Sequence, residues 1–123
     1  MKDDSIYLLH IRDCLDRISD YTAAGEESFL QDKKTQDAVV RNLEVIGEAA
    51  KHVSEKLRAR HSDVQWKRIV GMREKMIQEY FGVNLQLVWN VIVQELPDLR
   101  RRIQQILASG GEAALGTSER ALP

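Results

Sequence analysis

Arg73, Gln78 and Tyr80 stand in one short run, GMREKMIQEYFGVN (Gly71 to Asn84), and their types could do chemistry. An arginine is a fixed cation whose forked donors match phosphate oxygens. A glutamine amide donates and accepts hydrogen bonds but does not titrate in the working range. Tyr80, taken alone, reads as a helix-end aromatic packing on a core. Met72, Met76, Ile77 and Phe81 supply the apolar side of the run. Arg73 and Tyr80 are seven residues apart and share one helical face, whereas Gln78 lies about 140° round the helix from Arg73. Gly82 suits a left-handed helix stop and Asn84 suits the N-cap of the next helix.

The run resembles the R-x-x-x-x-H-x-Y signature of the HEPN superfamily, in its HepT-like branch of bacterial toxins. Arg73 takes the arginine position and Tyr80 the tyrosine position. Gln78 stands where the family carries histidine. The resemblance extends to RNLEVIGEAAKHV (Arg41 to Val53), to the YFGVN turn and to VWNVIVQELPDL (Val88 to Leu99), and covers most of residues 5 to 108. It implies metal-independent RNA cleavage, with tRNA or mRNA as target. In that chemistry the ribose 2′-hydroxyl attacks the adjacent phosphate and leaves a 2′,3′-cyclic phosphate. A group titrating near neutrality moves the proton, the histidine's task, and an arginine steadies the phosphate charge. The resemblance further implies a homodimer with two motifs in one cleft. It also implies a minimal nucleotidyltransferase antitoxin as partner, and Tyr80 as the acceptor of its AMP. Glu74 follows Arg73 where relatives often have Asp or Asn, and a carboxylate there would orient the arginine.

Gln78 divides the functional expectation. One reading is a toxin-type endoribonuclease whose cleavage is weak or absent, because the acid/base group is missing. The other is a non-catalytic homodimer that binds a nucleotidyltransferase.

The elements that must hold this run are helices. The expected fold is all-α: an antiparallel bundle of four main helices plus a short one, over residues 1–108, with a disordered tail over 109–123. A first helix starts near Asp4 or Ser5, repeats Leu8, Ile11, Leu15, Ile18 and Thr22, and ends by Gly25. GEESFLQDKKT reads as a polar connection anchored by Phe29 and Leu30. A second, long helix runs from about Thr35 to Arg60 with the seam Val39, Leu43, Ile46, Ala50, Val53 and Leu57. Gly47, beside Ala49 and Ala50, makes sense if another helix crosses closely there. Arg41, Glu44 and Glu48 form an exposed charged row by spacing, and buried supporting residues near a dimer groove by resemblance. Asp63 can cap a short helix holding Trp66, which reads as core or dimer contact. A last helix from Leu85 carries an apolar stripe to Ile106, with Pro97 kinking or splitting it near Glu95.

The 123 residues suit one domain, and their net charge of −1 gives no overall pull to nucleic acid or membrane. Charge is uneven, however. Residues 51–75 hold eight basic and three acidic groups, and residues 1–37 hold five basic and nine acidic. The basic stretch is either a solvated surface or a footprint for RNA phosphates or an acidic partner. Cys14, the single cysteine, fits core filler in a reducing cytoplasm. MKDDS lacks the apolar core of a signal peptide, and no apolar run is long enough to span a membrane. His10, His52 and His61 are scattered, lack cysteine partners and read as structural or surface residues. No metal site or cofactor is expected.

Overall fold

The structure, a computed structural model, describes residues 3–81 and 84–111, apart from the side chains of 79–81 and 110–111. The described residues are helical, with no strand among them. Helix α1 (Asp4–Tyr21) is capped by Asp3, whose carboxylate accepts the Ser5 N–H, one residue earlier than the expected Asp4 or Ser5. Asp4 has another task. Its carboxylate accepts the N–H and the hydroxyl of Ser54 at 2.8 and 2.6 Å. The start of α1 thus meets the end of α3 (Lys33–Lys51), so the two helices pack antiparallel.

The long second helix is broken. It becomes α3 and α4 (Glu55–Arg60), with Ser54 capping α4 by accepting the Leu57 N–H. A serine with an acceptor for its own N–H and a helix start for its hydroxyl has a better local solution than the helix interior. Val53 and Leu57 still reach the core, so the apolar seam survives the break.

The connection before α3 is also helical. Gly25 adopts φ 98°, a left-handed value that glycine accepts freely, and opens α2 (Glu26–Gln31). Phe29 is its buried anchor, as expected, and lies against Trp89 with ring centroids 5.4 Å apart. Gln36 is the buried polar residue of α3 and donates to the Phe29 carbonyl at 2.9 Å. Asp32 caps α3 through the Lys34 N–H.

Helix α5 (Trp66–Val70) is preceded by Gln65, not capped by Asp63. The Asp63 carboxylate instead accepts a guanidinium N–H of Arg102. Trp66 is core, and its Nε1–H donates to the His61 carbonyl at 3.0 Å. Helix α6 (Met72–Phe81) contains the motif run. Asn84 caps α7 (Leu85–Gln94) by accepting the Leu87 N–H at 3.1 Å, as expected, whereas Gly82 lies outside the described residues. Pro97 falls in the first turn of α8 (Leu96–Ile106), where its missing N–H costs nothing, so the last helix splits there. Arg68 fastens α5 to this joint with two bonds to Glu95, at 2.8 and 2.6 Å. Residues Leu107–Gly111 add a π turn, so helical structure runs past the expected limit at 108. Residues 112–123 of the expected tail lie outside the described residues.

Helix α3 is the hub. Val39, Leu43, Ile46 and Ala50 are fully enclosed by α1 on one side and by α5 and α6 on the other. The broad apolar stripe is therefore satisfied within one chain. Gly47 faces the joint between α5 and α6. A Cβ on it would lie 3.1 Å from the Arg73 N and the Ile69 O, and 3.3 Å from the Val70 O. The close crossing expected at this glycine is present, and it sets the backbone of Arg73 against α3.

Candidate active site

Because Gly47 lets α6 start against α3, the side chain of Arg73 emerges beside the outer edge of α3. It enters a groove of about 510 Å³ whose walls are Tyr7 and His10 from α1, and Arg41, Glu44, Glu48 and His52 from α3. Arg73 is 52% exposed and lies 3.5 Å from Glu74 Oε2, so the neighbouring carboxylate does sit beside the arginine. Arg41 lies 3.8 Å from Glu44 Oε1. The Arg41, Glu44 and Glu48 row is thus a groove wall. Of the three only Glu44 is half-buried; Arg41 and Glu48 are exposed, not buried supports.

Gln78 belongs to the same helix as Arg73 and is exposed, but does not line this groove. Tyr80 lies in α6, and its side chain falls outside the described residues.

Three groove residues escape a reading of the motif alone. The His52 ring stacks on Tyr7, with centroids 5.2 Å apart and an interplanar angle of 22°. Its Nε2 lies 3.5 Å from Glu48 Oε2. His10 lies in the same groove, one turn along α1 from Tyr7. The available signals were the i, i+4 spacing of Glu48 and His52 and the i, i+3 spacing of Tyr7 and His10. Neither pairs α1 with α3 without the fold. His61 lies apart, at the end of α4.

The basic stretch 51–75 is spread over the end of α3 and over α4, α5 and α6, and Arg68 is already tied to Glu95. Cys14 is buried, and burial pushes its thiol above the ordinary value of 9.0. Among the described residues no group of three His, Cys, Asp or Glu could hold a metal ion, and no helix is long and apolar enough to cross a membrane.

The described residues thus form an all-α bundle with an arginine-bearing groove beside a short, polar-decorated helix. Comparison with known proteins makes the assignment specific. The family described as "Ribonuclease HepT-like" matches residues 11–106, and the chain belongs to it. A protein of Caldanaerobacter subterraneus subsp. tengcongensis, named as a candidate RNase, is 43% identical over 108 residues, 87% of this chain and 96% of its own length. A Thermococcus cleftensis protein named "Probable ribonuclease HepT" is 36% identical over 101 residues, 81% of this chain and 92% of its own. A Methanocaldococcus jannaschii protein, also named as a candidate RNase, is 38% identical over 100 residues, 81% of this chain and 80% of its own. No solved structure matches the chain.

Proposed function

We propose that this chain is the toxin component of a HepT and minimal-nucleotidyltransferase pair, an RNA-directed protein of the metal-independent endoribonuclease type with a weakened site. The observation that carries this reading is a half-exposed, carboxylate-flanked Arg73 that enters a groove, on a helix that also holds an amide, Gln78, at the family's histidine position. Arg73 can clamp a phosphate. Gln78 can contact RNA but cannot accept and release a proton in the working range. Cleavage by the motif alone is therefore weak or absent. In the family's scheme the antitoxin transfers AMP to Tyr80, which would add phosphate charge at the motif and repel RNA.

Gln78→His tests the reading. Restoring the imidazole should raise cleavage of single-stranded RNA by about 100-fold or more. It should make expression without the antitoxin toxic, and cleavage should persist in a chelator. A well-folded Gln78→His protein that leaves RNA uncut and cells unharmed would transfer the case to the second reading. Gln78 itself favours that alternative, a non-catalytic homodimer that docks a nucleotidyltransferase.

A further inference from the structure

The Arg73 groove lacks a motif histidine but not an imidazole. We propose that His52 is the proton-transfer group of this groove, with Glu48 and Tyr7 as its positioning residues. The inference rests on the RNA-cleaving reading above.

Three observations carry it. The first is support. His52 is held on two sides, by the Tyr7 ring and by the Glu48 carboxylate at 3.5 Å from Nε2. A carboxylate beside one ring nitrogen keeps the proton there and leaves the lone pair on the other. Glu48 lies on the Nε2 side of His52, so the proposal assigns the acceptor role to Nδ1. The second is access: the His52 side chain is 51% exposed and lines the groove that Arg73 enters. The third is placement. Arg73 starts against Gly47, with its N 3.1 Å from the Cβ position. His52 is the residue that ends α3, five positions beyond Gly47. Arg73 and His52 line the same groove of about 510 Å³, which brings a cation and an imidazole to one site.

The titratable and charged groups that line the groove with His52 are Tyr7 and His10 from α1, Arg41, Glu44 and Glu48 from α3, and Arg73 from α6. The two arginines and two glutamates offset each other in formal charge. Of the lining side chains, the imidazoles are the ones that offer a ring nitrogen as a proton acceptor.

The step balances without a metal or cofactor. The ribose 2′-hydroxyl gives its proton to His52 Nδ1 as the O2′–P bond forms and the P–O5′ bond breaks. Arg73 stands beside the phosphate oxygens. Solvent water protonates the leaving 5′-oxygen, and the imidazolium returns its proton to solvent. The products are a 2′,3′-cyclic phosphate and a 5′-hydroxyl.

The test uses the full chain and a fluorescent single-stranded RNA oligonucleotide, with binding and cleavage measured separately across pH. The wild-type protein should cleave slowly, with a rate that rises through neutral pH. His52→Gln should lower the rate by about 100-fold, the usual scale of acid–base catalysis. It should flatten the pH profile and leave the RNA dissociation constant within about threefold. Added imidazole should restore cleavage to His52→Ala, which a purely structural role would not allow. His61→Gln, distant from the groove, should cleave as wild type does. Circular dichroism reports that each variant is folded. An unchanged rate and pH profile in His52→Gln would overturn the inference. So would wild-type protein that binds RNA through Arg73 yet never cuts it, an outcome that spares the RNA-groove reading. RNA binding that is absent, or indifferent to Arg73→Ala, would sink that reading and the inference together.

Discussion

Arg73 depends on two neighbours that act through different physics. Gly47 fixes where its backbone lies, and Glu74, 3.5 Å from its guanidinium, limits where its side chain goes. The Glu74 contact is exposed, so solvent weakens it. It orients the arginine more than it stabilises the fold. In a Gln78→His background, Arg73→Ala should cancel the gain in RNA cleavage, because the restored imidazole would act on a phosphate with no cation beside it. A measured rate that stays high in the double variant would show that another cation, with Arg41 the nearest choice in the groove, takes the load. The contact of Glu74 with Arg73 was legible in the sequence because the two are neighbours in one short run. Tyr7, His10 and His52 were not. They converge only when α1 and α3 pack antiparallel, and local spacing carries no record of that pairing.

At the scale of elements, periodicity identified the buried faces but misplaced helix ends. The seam from Val39 to Leu57 is buried throughout, yet the helix that carries it stops at Lys51 and restarts at Glu55. A four-residue repeat cannot distinguish one helix from two in register. Ser54 was the available sign, and its acceptor on Asp4 lies fifty residues away in sequence. Asp63 misled in the opposite sense: it has the chemistry of a cap, but Arg102 takes its carboxylate. Pro97 and Asn84 were read correctly because their effects are local. Gly47 was also legible, since a glycine inside a long helix costs about 1 kcal/mol of propensity and needs a reason. Its reason gives a sharp prediction. Gly47→Ala should gain that propensity and lose more, because the new methyl meets backbone at 3.1 Å that cannot rotate away. Overpacking of this kind costs about 1–3 kcal/mol. Urea denaturation should therefore show a net loss of up to about 2 kcal/mol, and RNA binding should weaken as Arg73 shifts. A more stable Gly47→Ala protein would mean that α6 does not press on α3 this closely.

For the whole molecule, two properties follow from how the surface is arranged. The first is acid sensitivity. The hydrogen bond from Arg102 holds the Asp98 carboxyl below its ordinary value of 3.8, and those from Thr35 and Ser5 do the same for Asp32 and Asp3. Depressed carboxyls stabilise the fold above their unfolded value and lose that contribution as pH falls through the folded one. The urea midpoint, as far as these groups set it, should hold between pH 7 and pH 5 and fall below about pH 4. The second is self-association, which we propose as a homodimer. The apolar stripe on α3 no longer argues for it, since α1, α5 and α6 already cover that stripe. The groove does argue for it. Its wall is charged and exposed, Arg73 projects half-free, and Ile6 and Tyr21 on α1 are exposed apolar surface. A two-fold contact across this side would bring the partner copy's arginine near the same phosphate. It would also cover apolar side chains that a monomer leaves in water. A standard interface buries on the order of 1,600 Å² in total. Light scattering at micromolar concentration should give twice the 14.1 kDa chain mass. Ile6→Asp, which puts a charge into that face, should shift the mass toward one chain and reduce RNA binding with it. A wild-type mass of one chain would remove the dimer and leave the groove to act as a single site.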